Sequence, residues 1–116
     1  MFSEIVNYKY SEVKRKYHNI KSMNIVSKVI TMNNCDDIDS YSNQSDILIY
    51  FDVVTEELLT IVERLEKTTV NMSELQEKVD EFNSQHADYV ASINENEEYI
   101  DLTVIHNSLA IQEWSV

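Results

Sequence analysis

Across 116 residues this chain contains neither glycine nor proline, and that absence narrows its options before any pattern is read. Glycine is the usual supplier of φ > 0 in tight turns, and proline the usual breaker of helices. A chain lacking both is poor in sharp reversals, so the expectation is a helical protein. Strands joined by hairpins are not expected.

Residues 47–93 sharpen that expectation. Two interleaved seven-residue series run through them: Ile47, Val54, Ile61, Thr68, Leu75, Phe82, Tyr89, and Phe51, Leu58, Leu65, Met72, Val79, His86, Ile93. They alternate at spacings of four and three, which an α-helix turns into a stripe along one face. Only Thr68 and His86 among them are neither apolar nor aromatic. One long helix of about 70 Å follows at 1.5 Å per residue, too extended to bury its own stripe. The predicted partner-binding seam is Phe51, Val54, Leu58, Ile61, Leu65, Met72, Leu75, Val79, Phe82, His86, Tyr89 and Ile93. Leu48, Val62 and Val90 widen it, which suits a bundle of three or four helices better than a two-stranded zipper. His86 is the titratable seam position that could fix register. A bend at residues 68–73, with Ser73 and Gln76 as a capping box, is the alternative, but the heptad phase is the same on both sides.

The flanks read as attachments to that rod. Residues 1–32 form a basic amphipathic helix in this reading, with Val6, Tyr10, Val13, Tyr17 and Ile20 on one stripe. Lys9, Lys14, Lys16, Lys21 and Lys28 line its shoulders as a face for a partner or an anionic membrane. Residues 33–46 are a polar, acidic linker; a calcium loop starting at Asp37 would lack its sixth-position glycine and twelfth-position glutamate. Residues 94–116 are expected to hold a short C-terminal helix through Leu102, Ile105 and Leu109. The alternation of Ile100, Leu102 and Val104 would also suit a strand, for which no partner strand is visible. The fold class expected is therefore all-α, an elongated helical or coiled-coil protein.

The net charge of −12 is unevenly spread. Residues 1–32 set Lys9, Lys14, Arg15, Lys16, Lys21 and Lys28 against Glu4 and Glu12, a balance of +4, and the remainder carries −16. An acidic body of this kind repels nucleic-acid phosphate, so no direct nucleic-acid binding is expected. A single cysteine, Cys35, and no long apolar run suggest a cytoplasmic or nuclear protein with at most peripheral membrane contact. His18, His86 and His106 fall in no metal-ligand spacing, and no phosphate loop or nucleophile motif is present. No enzyme, cofactor or metal is expected.

In architecture alone the chain is similar to small helical subunits of eukaryotic assemblies, such as endosomal sorting complexes of the BLOC-1 kind or kinetochore complexes. That resemblance implies a non-catalytic coiled-coil subunit, a scaffold or tether that meets other helical protein chains in a hetero-oligomer. Two chains of −12 would repel, which disfavours a homodimer. Two rival expectations are a small acidic inhibitor or nucleic-acid mimic occupying a basic site on an enzyme, and a peripheral membrane adaptor using the basic first helix. Residues 97–102, Glu-Glu-Tyr-Ile-Asp-Leu, also resemble the acidic-aromatic-x-x-aliphatic motif that binds autophagy modifiers.

Overall fold

The computed structural model describes residues 2–17, 20, 23–29 and 47–109. In chain order these form α1 (Phe2–Ile5), α2 (Tyr10–Lys16), β1 (Met23–Val26), β2 (Ile47–Asp52), β3 (Leu58–Glu66), a 3₁₀ turn (Lys67–Thr69), α3 (Met72–Gln85), β4 (Tyr89–Glu95) and β5 (Tyr99–His106). The strands join in one sheet of order β1-β2-β3-β5-β4. β1 runs parallel to β2, and every other neighbour is antiparallel. Because β5 inserts between β3 and β4, the β3–α3–β4 crossover is a split βαβ unit.

Local sequence accounts for each element. The β2 run Ile-Leu-Ile-Tyr-Phe and the β3 run Leu-Leu-Thr-Ile-Val are β-branched, aromatic and almost continuously apolar, as strands covered on both sides require. β5 alternates buried Ile100, Leu102 and Val104 with more open neighbours. α3 starts where Asn71 accepts hydrogen bonds from the backbone N–H groups of Ser73 (3.1 Å) and Glu74 (3.3 Å). It buries Leu75, Val79 and Phe82, the one stretch of the heptad series that is helical.

Those three side chains lie on one sheet face. There they meet Ile49, Phe51, Ile61, Ala91, Ile100, Leu102 and Val104 from the strands and Ile5 and Val13 from α1 and α2, in a single core. Leu48, Val62 and Tyr50 form a smaller cluster on the opposite face. Burial of side chains this size contributes roughly 1.5–3 kcal/mol each. One chain therefore supplies its own interior.

Turns form without glycine because side chains take over its work. Between β2 and β3 the Asp52 carboxylate accepts from the Val54 N–H (3.1 Å) and the Thr55 hydroxyl (3.3 Å), while Glu56 adopts φ 60°. Between β4 and β5 the Asn96 side chain accepts from the N–H groups of Glu98 (3.0 Å) and Tyr99 (2.6 Å). These Asx-type contacts stand in for a backbone turn.

The all-α coiled coil is thus corrected. The expected helix over 47–93 is instead two strands, a 3₁₀ turn, a helix and a third strand, and the longest extent of the molecule is 38 Å where a rod would reach about 70 Å. In place of one helix over 1–32 the described residues form two short helices and strand β1. The segment 94–116, expected as a short helix, starts at the end of β4 and continues as β5, with residues 107–109 helical and 110–116 outside the described residues. The linker at 33–46 lies outside the described residues, as do Cys35, Lys21, His18 and Trp114.

Candidate interaction surface

The core takes most of the predicted seam. Phe51, Leu58, Ile61, Leu75, Val79 and Phe82 are buried, and Leu65, Met72, Tyr89 and Ile93 pack against them partly buried. His86 follows the last turn of α3 with its ring 4.6 Å from that of Phe82. Val54 is the exception: it sits in the β2–β3 turn and is 85% exposed. Apolar residues at the seam spacing therefore serve the chain's own interior, and an outer surface must be sought elsewhere.

Of the basic positions, Lys9, Lys14 and Lys16 are exposed on or beside α2. Lys16 donates to the Tyr8 hydroxyl (3.0 Å), lies over the Tyr8 ring and is held above its ordinary pKa chiefly by that hydrogen bond. Lys14 lies 5.8 Å from the Tyr10 ring centroid. Lys28, beyond β1, is half-buried, so the five lysines do not share one face of one helix.

The outer face of α3 is different in kind. With Leu75, Val79 and Phe82 turned to the sheet, Glu74, Glu77, Asp80 and Glu81 are exposed on the helix. Spacings of three and four set Glu77 beside Glu74, Asp80 and Glu81, and each like-charge neighbour costs a few tenths of a kcal/mol. Neutral amides hold two of these carboxylates: Gln76 donates to Asp80 (3.0 Å) and Gln85 to Glu81 (3.3 Å). Among the described residues no salt bridge reaches any of the four, and the ion pairs formed, Arg64–Asp101 and Lys67–Glu95, lie elsewhere. Asp88, between α3 and β4, and Glu97 and Glu98, between β4 and β5, are exposed as well.

The neighbouring sheet edge is closed at one rung. The Asn83 side-chain amide donates to the Ala91 carbonyl (3.0 Å) and accepts from the Ala91 N–H (2.8 Å), so α3 pairs with edge strand β4 as a further strand would. On the other sheet face the Arg64 guanidinium forks onto the Asp101 carboxylate (2.9 and 3.0 Å) across the β3–β5 pair, with the Tyr99 ring against it. Residues 97–102 are no free linear segment: Tyr99–Leu102 belongs to β5, paired on both sides, with Ile100 and Leu102 buried.

One corner does gather titratable groups. The His106 ring stands edge-on to that of Tyr89 (centroids 5.2 Å), and Ser108 Oγ lies 2.7 Å from His106 Nδ1. Burial, with Glu57 and Asp88 nearby, pushes Tyr89 up to about 12, which keeps its hydroxyl protonated. The Ser108 N–H points at the same imidazole nitrogen (3.2 Å), so the pair is a local turn closure. Neither the Asn83 edge contact nor this corner has a sequence signature, because Asn83 meets Ala91 where α3 folds back onto β4 and Tyr89 meets His106 across the β4–β5 pair. Among the described residues no cluster of metal-ligating side chains occurs, and no helix is long and apolar enough to cross a membrane. Comparison with protein-family models, curated proteins and solved structures finds no match to this chain.

Proposed function

We propose that the chain is a non-catalytic protein-interaction domain whose acidic α3 face meets a basic surface on an unlike partner chain. The observation that carries this reading is the exposed set Glu74, Glu77, Asp80 and Glu81, of which glutamines hold Asp80 and Glu81, and which no salt bridge reaches among the described residues. Exposed Lys78, four residues after Glu74 and three before Glu81, offsets part of its self-repulsion, and the remainder is a local cost that an incoming basic surface would turn into attraction. Asp80 and Glu81 lie in the half of the helix nearer its negative end, where carboxylates are further disfavoured. Net charge again favours an unlike partner over a second copy.

Charge reversal tests this. The Glu77→Lys/Glu81→Lys double variant leaves the core untouched and should fold as the parent does by circular dichroism. Tagged parent protein, purified from its native source, should retain a stoichiometric partner at low salt and lose it at high salt; the double variant should not retain it. Retention that ignores both salt and charge reversal would overturn the reading. If the retained partner is an enzyme whose activity falls on binding, the domain acts as an acidic inhibitor; if not, it acts as an assembly subunit.

A further inference from the structure

Beyond the acidic face, the end of β5 carries a titratable contact placed where it controls a turn. His106 Nδ1 accepts from the Ser108 backbone N–H (3.2 Å), so the proton of the neutral ring resides on Nε2. Ser108 Oγ lies 2.7 Å from the same nitrogen, which an unprotonated Nδ1 lets it approach as a donor. The helical turn that follows β5, residues 107–109, contains fully buried Leu109 and is tied at its start by the Asn107 N–H on the Asp88 carbonyl (2.7 Å). Among the described residues, the tethers of this turn that depend on protonation are those on the imidazole.

We propose that His106 is a pH-sensitive latch: the neutral imidazole holds the turn at 107–109 closed against the end of β5, and protonation at Nδ1 releases the Ser108 amide. An imidazolium carries N–H on both nitrogens, so it can donate to Ser108 Oγ but can no longer accept from the Ser108 N–H. That amide then lacks a partner in a half-buried position, a cost that opens the turn. The groups facing the ring come from several elements: Tyr89 from β4, Asp88 before it, Lys28 beyond β1, Asp52 at the end of β2 and Glu57 ahead of β3. Burial first, and then Lys28, hold the imidazole below its ordinary value, while Asp88, Glu57 and Asp52 act in the opposite direction.

The direction of the pH effect follows. With the folded value depressed, the unfolded chain binds the proton first as pH falls, so stability is complete above about 6.5 and declines as pH drops from there toward the folded value. Asn107 and Leu109 still anchor the turn in acid, which makes the change a loosening.

Nitrogen-15 NMR on the full chain tests it, titrated from about pH 7.5 to 5, where histidine changes charge. The His106 ring should report an unprotonated Nδ1 at neutral pH. Exchange of the Ser108 amide, corrected for the intrinsic pH dependence, should speed up on the order of tenfold with the midpoint of the His106 ring. His106→Asn should abolish that step, and His86→Gln should leave it in place. Should His106→Asn fail to fold, the coincidence of the two wild-type midpoints decides alone. Flat Ser108 protection while the ring titrates, or a step that survives in His106→Asn, would overturn the latch.

Discussion

Glu56 holds the bend between β2 and β3 at φ 60°, in the left-handed region that a β-carbon makes costly by about 1–2 kcal/mol. Its backbone is committed on both sides, the N–H to the Asp52 carbonyl (2.8 Å) and the carbonyl to the Tyr10 N–H (2.9 Å), so the turn cannot relax around it. Asparagine tolerates this conformation better. Glu56→Asn should therefore raise the urea midpoint, by up to about 1 kcal/mol in stability, with an unchanged m-value; a lower midpoint would show that the side chain matters more than its backbone. Asn83 makes the opposite case. Asn83→Ala removes both partners of the Ala91 peptide groups at the β4 edge and should cost about 1–2 kcal/mol in the same experiment. It should also raise any tendency of β4 to pair with other chains, measured as concentration-dependent sedimentation.

Elements show why a heptad could be read where strands exist. A spacing of four residues returns to the same face in a helix and, being even, in a strand as well. The pairs Ile47/Phe51, Ile61/Leu65 and Tyr89/Ile93 satisfy both periods, and the intervening Ile49 and Ala91, also buried on that face, distinguish them. The run at residues 58–62 is apolar but for buried Thr60 and has no period to read. Only α3 carries the true three-four pattern, and its buried stripe of Leu75, Val79 and Phe82 was legible in the sequence. The acidity of this part of the chain was legible too, although as the body of a rod. The hairpins were not, because Asp52, Glu56 and Asn96 do the work expected of glycine. A paired comparison separates the two readings, since Val54 and Phe82 are equivalent seam positions in the heptad. Phe82→Ala should cost about 3–5 kcal/mol, and Val54→Ala, at an exposed turn, within about 0.5 kcal/mol.

At the scale of the whole molecule, the sheet and its helices form one interior with a Cα radius of gyration of 13.7 Å, close to the value of about 13 Å expected for a compact chain of this length. An apolar stripe awaiting a partner would make folding depend on concentration or on a second chain. A self-contained core does not. The purified chain should melt in one transition whose midpoint is independent of its own concentration, and a midpoint that climbs with concentration would return the stripe to an intermolecular role. The acidic α3 face is then a feature of a finished surface, open to a partner without being needed for folding.

Backbone nuclear Overhauser effects decide whether residues 47–106 fold on themselves as a sheet. Because the Ala91 N–H and carbonyl both turn out to Asn83, Ala91 and its partner Val104 form a non-hydrogen-bonded antiparallel pair, whose Cα atoms lie about 4.5 Å apart. The same phase makes Ile93–Leu102, Val62–Thr103 and Arg64–Asp101 such pairs. Strong Hα–Hα cross-peaks are expected at all four. Their absence, with sequential amide–amide contacts running unbroken from residue 47 to residue 93, would contradict the sheet and restore the long helix.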